Sequence, residues 1–218
     1  MSFSVNEYNA MVRGGGAQLN GNSYYTAAQF LEALKKGLPI PPNTVVQTRT
    51  EGMDITHGGI DLSKVDFTKV KLPENVRIDG SLAIRDNPTF TALPRGWCID
   101  HHLDISHCDN FRSLSENCKV LGDFFVTDCP SVTSLSDNLH LPGVAMVGRV
   151  PDPIDSDDYR YTGEIILENC PNLTTTPSCF LRLGALCDGS SRRVSIKNTA
   201  IPEHVIHSMR QLQGVRLA

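Results

Sequence analysis

The sequence predicts an α/β fold: a solenoid with parallel strands on a concave face and irregular arcs on the convex side. A helical cap covers its N-terminal end and a short helix its C-terminal end. Three observations predict this. An apolar strand motif recurs with a period near 21, since Ile84, Ile105 and Val126 are 21 residues apart and Leu167 lies 41 beyond Val126. A column of Asn87, Cys108, Cys129 and Cys170 follows the strands in register. An amphipathic stretch precedes the array and another follows it. A unit of this size cannot bury its apolar face alone, so neighbours must stack and share a core.

Taken in order, residues 1–21 are polar and Gly-rich, with GGG at 14–16, and are expected to be a disordered leader. Residues 22–54 are expected to form the cap. In NSYYTAAQFLEALKKGLP, residues 22–39, Phe30, Leu31, Leu34 and Ala27 make a stripe at helical spacing. Asn22 or Ser23 is placed to cap its start, and Gly37 and Pro39 to end it. Residues 55–200 hold about seven units. The clear ones are LAIRDNPTFTALP (82–94), LDISHCDNFRSLS (103–115), FFVTDCPSVTSLS (124–136) and IILENCPNLTTTP (165–177). The 41-residue step leaves room for a unit built on VAMVGRVPDPI, with Val147 in the strand column. GIDLSKVDF and RVSIKNTAI, with Leu62 and Ile196 in that column, are weaker copies at the two ends. Residues 201–218 supply a capping helix with Pro202 in its first turn, Val205, Ile206, Met209 and Leu212 on its buried face, and Gly214 at its end.

The shared pattern, L-x-[IVL]-x-x-[CN]-x-x-[LVF]-x-x-L-[PS], resembles the leucine-rich repeat over roughly residues 55–200. One departure is that the next apolar residue follows the Cys/Asn by three positions, a spacing similar to cysteine-containing and bacterial effector variants. RVSIKNTAIPEHVI resembles the closing segment of the repeat domain in bacterial effector E3 ubiquitin ligases of the IpaH type. In that family the repeats recognise the target and a separate helical domain transfers ubiquitin. The resemblance therefore implies a target-recognition role in virulence; ligase activity would need a catalytic domain beyond these residues. It also implies a cytoplasmic protein or one delivered into a host cell by a non-Sec route.

HHLDISHCDN, residues 101–110, has the composition of an active site. The repeat supplies another explanation. Cys108, Cys129, Cys170 and Asn87 share one position, where the chain turns inward and a buried side chain must satisfy backbone groups. They are expected to form a structural ladder, because catalysis rarely needs three copies of its nucleophile. Zinc would need four converging ligands, and strand alternation sends His101, His102 and His107 to different faces, so neither metal nor other cofactor is expected. CID at 98–100 matches the Cys-x-Asp of the effector ligases but falls on an arc of the repeats. An enzyme using Cys98 or Cys108 remains the alternative, without a G-x-S-x-G, P-loop or HExxH motif to support it. Seven cysteines cannot all pair internally, no CxxC occurs, and reduced thiols are expected; a Cys179–Cys187 disulfide is the remaining option.

Recognition is expected on the outward strand positions. The central column reads Asp61, Ala83, Asp104, Phe125, Met146, Ile166 and Ser195. Ser81, His102, Asp123, Val144, Glu164 and Arg193 precede it, and Arg85, Ser106, Thr127, Gly148, Glu168 and Lys197 follow it. Phe125, Met146 and Ile166 would be an apolar centre, with His102 in the rim and Asp104, Asp123, Glu164 and Glu168 making that rim acidic on one side. That anatomy suits a protein partner, a host protein if the effector resemblance holds. The acidic stretch 151–163 could add to the surface or lie as a solvated arc. A net charge of −4 speaks against nucleic acid. No apolar run reaches about 18 residues, so no membrane span is expected, and the N-terminus lacks the apolar core of a Sec signal.

Overall fold

A computed structural model describes residues 17–19, 22–48, 58–136, 138–141, 164–176, 180, 192–212 and 215–218. The leader (except 17–19), Val144, Met146, Val147, Gly148, the acidic stretch 151–163, Cys179, Cys187 and Gly214 lie outside the described residues. The fold is α/β, with sheets of mainly parallel strands and few helices.

The largest sheet has seven strands. It runs β4 (Gly59–Asp61), β6 (Ser81–Arg85), β9 (Leu103–Ser106), β12 (Phe124–Thr127), β13 (Ile165–Cys170), β14 (Arg192–Thr199) and β15 (Val215–Leu217), in spatial order the same as chain order. Every pairing is parallel. Ile84 pairs with Ile105, Ile105 with Val126, Val126 with Leu167 and Leu167 with Ile196, so the apolar period becomes one row across the sheet. Alternation along each strand buries Leu103, Ile105, Phe124, Val126, Ile165 and Leu167 and turns the residues between them outward.

The direct pairing of β12 with β13 corrects one expectation. Phe125 is the register partner of Ile166, so the sheet has no strand position between them for a unit centred on Val147. Spacing alone suggested that unit, because 41 residues is close to two periods. A second correction concerns the arcs. They carry two further parallel ladders rather than irregular chain. One joins β7 (Ala92–Leu93) to β10 (Ser113–Leu114), with a bridge from Ser134 to Thr175. The other is a six-stranded sheet ordered β1 (Ala17–Leu19), β2 (Asn22–Thr26), β3 (Thr44–Gln47), β5 (Arg77–Ile78), β8 (Cys98–Ile99) and β11 (Lys119–Val120). Only β1 in it is antiparallel.

Left-handed residues mark the bends. Asp86, His107, Asp128, Asn169 and Asn198 have φ of 50–54° and each immediately precedes the Asn/Cys position or its equivalent. A second set, Asn75, Gly96 and Asn117, is spaced by 21 residues with φ of 56–75°. Asn and Asp tolerate this region because their short polar side chains bond locally.

Helix α1 (Ala27–Lys35) starts later than the sequence suggested. Residues 22–26 are the strand β2, with Tyr25 inward, and the cap is Thr26 rather than Asn22 or Ser23. The Gln29 N–H donates to Thr26 Oγ1 and the Thr26 N–H to Gln29 Oε1, a reciprocal capping box. At the other end Gly37 is left-handed, its N–H donates to Leu34 O, and the Leu38 N–H donates to Ala33 O, a Schellman closure. Phe30 from this helix is fully buried, edge-on to Trp97 at 6.4 Å. Helix α2 (Glu203–Arg210) follows Pro202 and buries Met209, with Val205, Ile206 and Leu212 packed partly against the core. The strand β15 after it escaped the sequence reading.

Candidate functional site

The outward face of the seven-stranded sheet gathers most of the residues expected to bind a partner. Register fixes three columns across it. His102 and Asp123 stand immediately before β9 and β12, Glu164 immediately before β13, and Arg193 pairs with Arg216 on β14 and β15. The middle column reads Asp61, Ala83, Asp104, Phe125, Ile166, Ser195. The third reads Arg85, Ser106, Thr127, Glu168, Lys197. Phe125 and Ile166 are half-buried neighbours, about 4.8 Å apart at the backbone. Met146, expected between them, lies outside the described residues.

The acidic rim is largely balanced from within. Three of its four carboxylates meet a cation from an adjacent strand, and the fourth, Asp123, lies beside the His102 ring. Arg85 Nε is 2.6 Å from Asp104, His102 Nδ1 is 3.1 Å from Asp123, Arg193 is 3.1 Å from Glu164 and Lys197 is 3.5 Å from Glu168. Ser195 is buried and its hydroxyl also donates to Glu168. Three of these pairs join neighbours within one column, and Arg85–Asp104 crosses from the third column to the middle one.

Within each Arg or Lys pair the two partners differ in reach. The cation side chains of Arg85, Arg193 and Lys197 keep 55–57% of their surface exposed, whereas Asp104, Glu164 and Glu168 keep 22–30%. Long basic stems carry their charge outward while the carboxylates lie against the sheet. Arg216, also exposed, adds a cation beside Arg193, and no carboxylate among the described residues pairs with it. Sequence reasoning missed Arg216 because β15 is a three-residue strand; the alternation of Val215, Arg216 and Leu217 was its only signal.

Asp123 ties three strands together beneath this surface. It is 8% exposed. Its Oδ1 accepts the Glu164 N–H at 2.8 Å, and its own N–H donates to His102 Nδ1 at 3.0 Å. With Nδ1 accepting, the neutral imidazole carries its proton on Nε2.

The cysteines are placed otherwise. Cys108, Cys129 and Cys170 are fully buried, and their S–H groups have backbone carbonyls within reach: Ile84 and Ser106, Ile105 and Thr127, Val126 and Glu168. Burial raises all three thiols, Cys129 to about 12. Cys98 sits on β8, in the other sheet, with its thiol 3.6 Å from Asp100. Burial first, and the Asp100 charge second, push it to about 11. A nucleophilic thiol needs the opposite, a thiolate favoured by nearby positive charge. Among the described residues no three His, Cys, Asp or Glu side chains converge as a metal site, and no helix is long and apolar enough to cross a membrane.

Comparison with protein-family models, with curated proteins and with solved structures finds no match.

Proposed function

We propose that this chain is a leucine-rich-repeat protein that binds a protein partner on the outward face of its seven-stranded sheet. The observation that carries the reading is the pairing of Phe125 with Ile166 at the middle of that face, between two columns of cross-strand ion pairs. Apolar side chains there, inside a polar rim, have the layout of a recognition surface. Row-by-row pairing of Ile84, Ile105 and Val126 at 21-residue intervals supports the repeat reading. The resemblance of the closing segment to effector ligases favours target recognition, and a bacterial effector or the recognition part of a ubiquitin ligase is the setting it suggests. Raised thiols at Cys98 and Cys108 weigh against the cysteine-enzyme alternative.

The test is affinity capture from host lysate with the wild-type chain, with Phe125→Glu, and with Lys119→Glu, whose exposed side chain belongs to the other sheet. A partner kept by Lys119→Glu and lost by Phe125→Glu supports the proposal. Equal capture by all three removes the face from consideration.

A further inference from the structure

We infer that the segment docking on this face is acidic: a stretch of a protein partner in which Asp or Glu residues flank an apolar anchor. The inference rests on the binding face proposed above and adds the chemistry of its occupant. Counted by residue type, the expected rim has four carboxylates, which would predict a basic partner. Geometry reverses the sign. Asp104, Glu164 and Glu168 are the recessed members of their pairs, and Arg85, Arg193 and Lys197 the projecting ones. Asp123 is buried more deeply still and is engaged by the Glu164 backbone.

The cations are also grouped. Arg193 and Arg216 are register partners, adjacent and both exposed. Lys197 lies on the same face of β14, four residues beyond Arg193, with the buried Ser195 between them. Ile166 is the register partner of Ser195, and Phe125 of Ile166. An incoming chain that seats an apolar side chain on Phe125 and Ile166 therefore meets projecting Arg and Lys groups on its β14–β15 side and Arg85 toward the other end. Guanidinium forks bind carboxylates through paired N–H donors, and among the described residues Arg216 has no carboxylate to release first. An apolar centre in the middle of the cations suits a peptide better than a nucleic-acid backbone, which needs an uninterrupted basic track.

Selection from a random displayed peptide library on the immobilised full chain tests this, followed by fluorescence anisotropy of the selected peptides. Peptides with Asp or Glu around an aromatic or aliphatic residue should be enriched. Arg216→Glu should weaken them by about tenfold and flatten their salt dependence, Phe125→Glu should weaken them comparably, and Lys119→Glu should leave them unchanged. In Arg216→Glu the new carboxylate faces Arg193 and keeps the strand paired; Arg216→Gln, which should show a smaller loss in the same direction, guards against misfolding. Loss on Phe125→Glu with no acidic preference, or none on Arg216→Glu, leaves the face standing and overturns the acidic occupant. Binding indifferent to both substitutions overturns the face as well, and a screen that enriches nothing overturns the inference. So do equal affinity for a single-stranded oligonucleotide with the same Arg216 dependence, and self-association in sedimentation that Arg216→Glu abolishes, which would make the occupant a second copy.

Discussion

Asn87 and Cys108 hold the same position one unit apart and satisfy the backbone in different ways. Asn87 Nδ2 donates to Val65 O at 2.8 Å and Ser63 O at 3.0 Å, while its Oδ1 accepts the Thr89 and Phe90 N–H groups at 2.9 and 3.1 Å. Cys108 has one thiol proton to share between Ile84 O and Ser106 O, each at 3.4 Å. The first bend is locked by strong bonds in both directions, the second chiefly by filled apolar space.

Removing the two side chains should therefore cost different amounts. Asn87→Ala orphans buried donors and acceptors and should destabilise by about 2–4 kcal/mol. Cys108→Ala leaves a small void and a weak bond unmade, for about 1–2 kcal/mol. Urea unfolding of both variants checks the order; if Cys108→Ala proves the costlier, the thiol does more at its bend than fill space.

The thiols also predict a pH dependence. Burial raises Cys98 and Cys118 from 9.0 to about 11 and Cys129 to about 12. The folded state thus keeps protons that the unfolded chain releases above pH 9. Stability contributed by the neutral thiols is intact below pH 9 and is lost progressively as pH climbs toward 11–12. Denaturation midpoints measured across that range should fall. Thiol labelling at neutral pH should be slow in the native protein and fast in urea, and rapid native labelling of Cys98 would revive the enzyme alternative.

Much of this arrangement was legible before any coordinates. The period at Ile84, Ile105 and Val126 reports a row of inward side chains, because only side chains facing a shared core must repeat in register. The Asn/Cys column was equally plain. What stayed hidden depends on partners distant in sequence. Arg193 meets Glu164 across 29 residues; the column sets the two side by side but does not reveal that the cation projects while the carboxylate is recessed. The 41-residue gap imitated two periods, although β12 pairs straight with β13. The start of α1 was misread because Ser23 and Thr26 are both capping residues; the Gln29 partner of Thr26, and the strand preference of Tyr24 and Tyr25, were the overlooked signals.

The left-handed bends make a further test. His107 has φ of 52° and an exposed side chain whose contact with Asp128, at 3.7 Å, is solvent-screened, so its cost is chiefly one of backbone. Replacing it with Val should destabilise by about 1–2 kcal/mol, and with Asn or Gly by little or nothing. Gly96, in the second set of bends, combines φ of 75° with a Cβ position 2.1 Å from Asn75 Oδ1. Gly96→Ala should therefore exceed the loss for His107→Val, because a clash adds to the strained dihedral. Thermal unfolding followed by circular dichroism ranks them; a neutral Gly96→Ala would show that the Asn75 side chain yields.

Asp123 offers the sharpest separation between charge and hydrogen bonding. Its carboxylate accepts the Glu164 N–H at one oxygen and faces His102 Nδ1 with the other, so it couples β9, β12 and β13 beneath the proposed binding face. Asp123→Asn keeps an oxygen for the Glu164 N–H and gives up only the charge beside His102. Asp123→Ala removes the acceptor too and leaves a part-buried N–H unsatisfied, which costs about 1–3 kcal/mol more. Glu164 carries the carboxylate that restrains Arg193, so loosening its backbone should also weaken a peptide bound at Arg193 and Arg216. The expected order in chemical denaturation and in peptide anisotropy is wild type, Asn, then Ala. Equal losses for the two variants would place the worth of Asp123 in its charge, and a loss of stability with peptide affinity unchanged would detach the strand junction from the surface above it.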